Sequence, residues 1–104
     1  MKIQVNTGHN IDGREAMVRH AESVVESTLG HLAGHITRVE VHVTDENSEK
    51  GGGLDKRCVM EARLESHQPL AVTDHAETAH QAIAGAAEKL KQAIGHLLDR
   101  RNPR

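Results

Sequence analysis

The chain has no Phe, Tyr or Trp among its 104 residues. The core must therefore be built from Val, Leu, Ile, Met and Ala. No ring is available for a base to stack on, so any RNA contact must rest on phosphates, on shape and on Arg planes. The single cysteine, Cys58, cannot close an internal disulfide, which fits a reducing cytoplasm. No apolar run approaches the length of a membrane span and nothing resembles a signal peptide, so the expectation is a cytoplasmic protein with no membrane contact. The net charge of −2 gives no strong prior for a polyanion partner. No repeat, linker or composition shift divides the chain, and its length suits one domain spanning residues 1–104 with a real core.

What is present alternates at two periods. Lys2–Asn6 reads as a strand with Ile3 and Val5 on one face. Thr7-Gly8-His9-Asn10 reads as a turn. Asp12 is the expected cap of a helix, with Glu15 at its third position. Met17, Ala21, Val24, Val25, Thr28 and Leu32 form that helix's apolar stripe, and Gly30 and Gly34 bracket its end. One flank of the stripe carries Glu15, Glu22 and Glu26; the other carries His20, Ser27 and His31 and no acid. Ile36–Thr44 alternates cleanly, with Val39, Val41 and Val43 opposite Arg38, Glu40 and His42. Asp45–Asp55 is a polar connection centred on Gly51-Gly52-Gly53. Arg57–Glu65 turns Cys58, Met60, Ala62 and Leu64 inward. Ser66-His67-Gln68-Pro69 reads as a turn and Leu70–Thr73 as a short strand.

Asp74–Arg104 then reads as one long helix. Ala76, Ala79, Ile83, Ala86, Leu90, Ile94 and Leu97 recur at spacings of three and four. Asp74 and Glu77 form an acidic capping pair, and Pro103 marks the end. Lys89, Lys91, Arg100, Arg101 and Arg104 crowd its second half against Glu88 and Asp99. At 100° per residue, Lys89, His96 and Arg100 share one stripe beside the apolar face. Cations in the last turns also offset the helix dipole, but Lys89 and Lys91 lie well before those turns, which points to a surface for a polyanion. The order is β-α-β-β-β-α: an α+β fold whose four strands leave one sheet face solvated and the other covered by both helices.

Nine histidines raise the question of a metal site. His31 and His35 are four apart but interrupted by Gly34, and no His-Glu-x-x-His or paired-cysteine motif occurs, so no metal or other cofactor is expected. Histidine ordinarily titrates near pH ~6.5, so acid would add positive charge to the chain. The three consecutive glycines lack the following Lys-Ser/Thr of a phosphate loop and read as a flexible connection. Cys58 sits on an inward face without a positioned base, and no carboxylate pair is placed for acid–base work. Neither an enzyme nor a small-molecule substrate is expected.

The residues also resemble a family: the short ribosome hibernation-promoting factors, also called ribosome-associated inhibitors or sigma-54 modulation proteins. The likeness rests on the opening strand with Thr7-Gly8-His9-Asn10, on the Val39–Val43 strand and the hairpins after it, and on Gln81-Ala82-Ile83 followed by Ala87-Glu88-Lys89-Leu90. The resemblance implies a four-stranded mixed sheet with two roughly parallel helices on one face, in the manner of double-stranded-RNA-binding domains, and binding to the small ribosomal subunit and its rRNA, in the channel that messenger and transfer RNA occupy. Ribosomes would thereby be held inactive in stationary phase or stress. Carried over by position, the candidate RNA contacts are Lys89, Lys91, Arg100 and Arg101 in the last helix, joined by His96 from the shared stripe, and Arg14, Arg19 and His20 in the first helix. The chain is less basic than the family commonly is, and His80 stands where an aromatic residue is usual. The alternative is a protein-interaction or stress-regulatory module of the same fold. In the ribosome reading, the acid-free flank of the first helix adjoins the Lys89, His96 and Arg100 stripe.

Overall fold

The structure, a computed structural model, describes residues 1–8, 11, 13–46 and 55–101, with the side chains of Arg100 and Arg101 excepted. The His9-Asn10 half of the first turn, the Asp12 cap, the Gly51-Gly52-Gly53 connection, Pro103 and Arg104 lie outside the described residues. The elements are β1 (Lys2–Thr7), α1 (Arg14–Leu29), a short 3₁₀ segment (Gly30–His35), β2 (Ile36–Asp45), β3 (Lys56–Leu64), β4 (Leu70–Ala76) and α2 (Ala79–Arg101). The strands lie in the spatial order β1-β2-β3-β4. β1 runs parallel to β2, and the other two pairings are antiparallel. The α+β order and the mixed sheet follow the sequence expectation.

The alternation of each strand decides what the helices cover. Val39, Val41 and Val43 of β2, with Cys58, Met60 and Ala62 of β3, are completely buried. Above them lie Ala21, Val25 and Leu29 of α1, and Ala82, Ile83, Ala86, Ala87, Leu90 and Ile94 of α2, also completely buried. α1 packs over β1, and α2 over β3 and β4. With no aromatic volume to fill, alanines on α2 let its backbone come close to the sheet; each larger aliphatic side chain buried there contributes about 1.5–3 kcal/mol. A bulge at Thr37 shifts the β2–β3 register between Ile36 and Arg38, so that Ile36 faces the core as Val39 does. The Thr37 hydroxyl donates to the Arg63 carbonyl at 3.0 Å across that bulge.

Both helix starts differ from the expectation. α1 is capped by Gly13 in the left-handed region (φ 65°), with no side-chain cap bond; glycine accepts this backbone without strain. The Gly13 carbonyl accepts from the Met17 amide at 2.9 Å. α2 begins at Ala79, because β4 continues through Ala76. Asp74 pairs with Cys58 in the sheet, and Ala76 with Lys56. Asp74 is thus a strand residue rather than a helix cap. Thr78 is the cap: its hydroxyl accepts from the Gln81 amide at 3.1 Å. A threonine with glutamine three residues on is a capping-box sequence.

Asp74 lies on the covered side of β4, and its carboxylate rests on Gly85. A β-carbon built at Gly85 would lie 2.1 Å from Asp74 Oδ2. Replacing Gly85 with Ala should therefore lower stability in denaturant unfolding by roughly 1–3 kcal/mol, through displacement of that carboxylate. In an Asp74→Ala background the same change should raise stability by about 1 kcal/mol, as the helix-propensity gain alone. Thr78→Ala should cost about 1 kcal/mol in the same measurement.

Candidate nucleic-acid interface

The two lysines of α2 are held by acids. Lys89 Nζ lies 2.9 Å from Asp74 Oδ1 and donates to the Thr73 carbonyl at 2.9 Å. Lys89 is four residues after Gly85, so one helical turn carries both the notch that receives Asp74 and the charge that neutralises it. Lys91 Nζ lies 3.1 Å from Glu88 Oε1, three residues earlier. His96 is exposed, and the helix backbone continues through Arg100 and Arg101, whose side chains lie outside the described residues.

This geometry corrects the expected helix seam. Lys89 reaches β4, on the side of α2 away from α1, and its stripe does not adjoin α1. The acid-free flank of α1 does face α2, but there His20 meets His80. The two rings are 4.0 Å apart at centroids and inclined by 61°, edge to face. His20 Nε2 is buried with no hydrogen-bond partner among the described residues. Burial of His20, and to a lesser extent the neighbouring His80, lower its pKa from the ordinary value of 6.5. His20 is thus held neutral at the seam and is poorly suited to contact a phosphate.

Arg14 and Arg19 are exposed on α1 and make no ion pair among the described residues. Among the described side chains singled out from sequence, Lys89 therefore lies on the β4 side of α2, His20 at the seam, and Arg14 and Arg19 on the exposed part of α1. They do not form a single patch.

Sequence reasoning left the uncovered face of the sheet out of the site. Alternation showed that Arg38, Glu40, Arg57, Glu61 and Arg63 point outward, but only the strand register shows which stand abreast. Lys2 pairs with Arg38 and Arg38 with Arg63, so three cations form one row; Glu40 and Glu61 pair in the next. Arg38 Nε lies 3.1 Å from Glu40 Oε2, and Arg63 Nε 3.8 Å from Glu61 Oε1. His42 Nε2 is 3.5 Å from Glu40 Oε1. Farther along, Arg57 and His75 both approach Glu46, at 3.9 and 3.3 Å. Exposed pairs of this kind are worth at most about 1 kcal/mol. At the mouth of the β2–β3 hairpin Lys56 lies 3.4 Å from Asp45 and 3.2 Å from Asp55. Desolvation pulls the Lys56 pKa down, but the two carboxylates outweigh it and hold it above the ordinary value.

The geometry offers little for covalent chemistry. Burial, with the Asp74 carboxylate beside it, pushes the Cys58 thiol up to about 12. Among the described residues no group of three or more His, Cys, Asp or Glu is placed to hold a metal ion. No helix among them is long and apolar enough to cross a membrane.

Residues 4–102 match the family model described as sigma 54 modulation protein / S30EA ribosomal protein. No curated protein matches the sequence. Among solved structures, the chain is similar to the N-terminal domain of Protein Y from Thermus thermophilus, with 19% identity and a TM-score of 0.66; 93% of this chain and 99% of that one are covered. It is also similar to a ribosomal subunit interface protein from Coxiella burnetii, with 16% identity, a TM-score of 0.67 and coverage of 93% and 97%. At such identities these two likenesses carry the fold.

The seam generates a pH dependence. The folded chain keeps His20 neutral to lower pH than the unfolded chain does, so unfolding takes up a proton below about pH 6.5. The His20 contribution is fully present above that pH and is lost as pH falls towards the lower folded value. Denaturation midpoints measured between about pH 7 and 5 should fall with acid, and a His20→Gln variant should fall less steeply. Parallel curves for the two proteins would contradict this role of the seam.

Proposed function

The chain belongs to the sigma-54 modulation protein / S30EA ribosomal protein family, and from that premise we propose that it is a non-enzymatic, cytoplasmic, ribosome-associated inhibitor of translation. It binds the small ribosomal subunit, occupies the path of messenger and transfer RNA, and holds ribosomes inactive. The observation that carries this reading is the family match across nearly the whole chain. The similar fold of a ribosomal subunit interface protein from Coxiella burnetii supports it. The mechanism is steric. A folded domain blocks the channel, and its cations pair with rRNA phosphates, fixing its position without reading sequence.

The candidate contacts differ in availability. Arg14 and Arg19 are exposed and can meet a phosphate directly. Lys89 must exchange Asp74 for a phosphate, and Lys91 must exchange Glu88. Arg100, Arg101 and His96 extend the same helix towards its C-terminus. That Lys89 and Lys91 are already paired favours a second reading, an interaction module of the same fold that does not bind ribosomes.

Sedimentation of stationary-phase lysate through a sucrose gradient separates the two readings. The ribosome reading expects the protein in small-subunit or whole-ribosome fractions; its absence from every such fraction would favour the interaction module. Binding to purified small subunits should weaken steeply between about 50 and 200 mM salt. An Arg14→Gln, Arg19→Gln variant should bind more weakly, with a shallower salt slope, and Asp74→Asn, which removes the countercharge of Lys89, should bind more tightly.

A further inference from the structure

The uncovered sheet face has a feature that stability alone does not explain. Lys2, Arg38 and Arg63 stand directly abreast on three neighbouring strands, at the strand spacing of about 4.8 Å. Like charges directly opposite one another on a sheet are destabilising. The adjoining acids relieve this only in part, because Glu40 and Glu61 each approach an arginine through Nε. Arg38 Nη2 donates to the Gln4 side-chain carbonyl. Arg38 and Arg63 keep 38% and 55% of their side chains exposed, and the Lys2 ammonium makes no ion pair among the described residues. The acids and Gln4 thus orient the guanidinium groups and leave part of each fork facing solvent.

The row ends at a free edge. Among the described residues β1 is the outermost strand and pairs with β2 alone, so its outer backbone N–H groups make no sheet bond there. A concavity of about 330 Å³ opens there, lined by Lys2, Ile3, Gln4 and Arg38. It gathers two cations and an amide side chain beside an unpaired strand edge, all suited to oxygen acceptors that carry negative charge. Guanidinium groups in particular present paired donors to phosphate.

We propose that the row Lys2, Arg38 and Arg63, with the concavity at the β1 edge, is a second RNA-backbone contact on the face of the sheet opposite the helices. The inference rests on the ribosome reading and deepens it. Arg14 and Arg19 lie on the helical layer, and the row lies on the other side of the molecule. The domain therefore offers cations to phosphates on both faces. The acids of the next row, Glu40 and Glu61, turn a general attraction into a positional one, because only phosphates aligned with the cation row avoid them.

The test uses the full chain and purified small ribosomal subunits. Binding of the wild type and of a Lys2→Gln, Arg38→Gln, Arg63→Gln variant is measured across a salt series. Circular dichroism and thermal unfolding verify that the variant is folded. The expected result is weaker binding with the slope of log affinity against log salt reduced by roughly two, since each phosphate left without its cation takes about 0.7–0.9 from the slope. An unchanged slope and affinity in a folded variant would overturn the second contact. Weaker binding with an unchanged slope would overturn its assignment to RNA and point to a ribosomal protein surface. If the wild type itself fails to bind, the ribosome reading falls and this contact falls with it. If the variant does not fold, the single Arg63→Gln change, at an exposed position, should lower the slope by just under one, and no change would count against the row.

Discussion

A carboxylate on the covered side of a sheet must find a partner, and the way Asp74 does so governs how α2 lies on this molecule. Left without a partner, a carboxylate with only a fifth of its side chain exposed would carry a desolvation cost of about 1–3 kcal/mol. Here the helix supplies both space and countercharge from one turn. Gly85 leaves room where any β-carbon would collide with the carboxylate, and Lys89 closes over it at 2.9 Å. Rotating α2 would lose both at once. Its alanines then set how deeply it seats, and with its rotation fixed His80 meets His20 on α1. The ion pair at one side of α2 and the histidine contact at the other are two results of one orientation.

The fold was legible because every strand is half buried and shows it as a period of two. Val39, Val41, Val43, Cys58, Met60 and Ala62 could be placed on the core face from sequence and are there. The start of α2 was misread for a physical reason. Asp74 followed by Glu77 has the local form of a cap, whereas its pairing with Cys58 is a long-range contact that no local pattern displays. The correct local signal was present in Thr78 and Gln81, two residues that satisfy the capping geometry without an acid. The seam was half legible: the acid-free flank of α1 does face α2, but which flank of α2 answers it depends on the Asp74 contact. The cation row was illegible, since Lys2, Arg38 and Arg63 lie far apart in sequence and stand together only through register.

The charge distribution bears on function in a similar way. A net charge of −2 hides local structure of both signs. On α2 the acids sit against the lysines and moderate them. On the open sheet they sit beside arginines and orient them. In the proposed ribosome reading, a chain of this composition gains little attraction to a polyanion at a distance, and contact with RNA rests on alignment at short range. Salt dependence then measures directly how many aligned contacts form.

Cys58 gives the molecule a built-in reporter. It lies completely buried in β3, between β2 and β4, on the face that α2 covers and with its thiol pushed up to about 12. A thiol reagent needs an exposed and deprotonated sulfur, and neither exists until the sheet itself opens. With no tryptophan or tyrosine, the chain is almost silent to the aromatic fluorescence and absorbance that usually report loss of tertiary packing. Its only thiol supplies the missing signal, because the rate at which it is labelled reports opening of the central sheet rather than fraying at the ends.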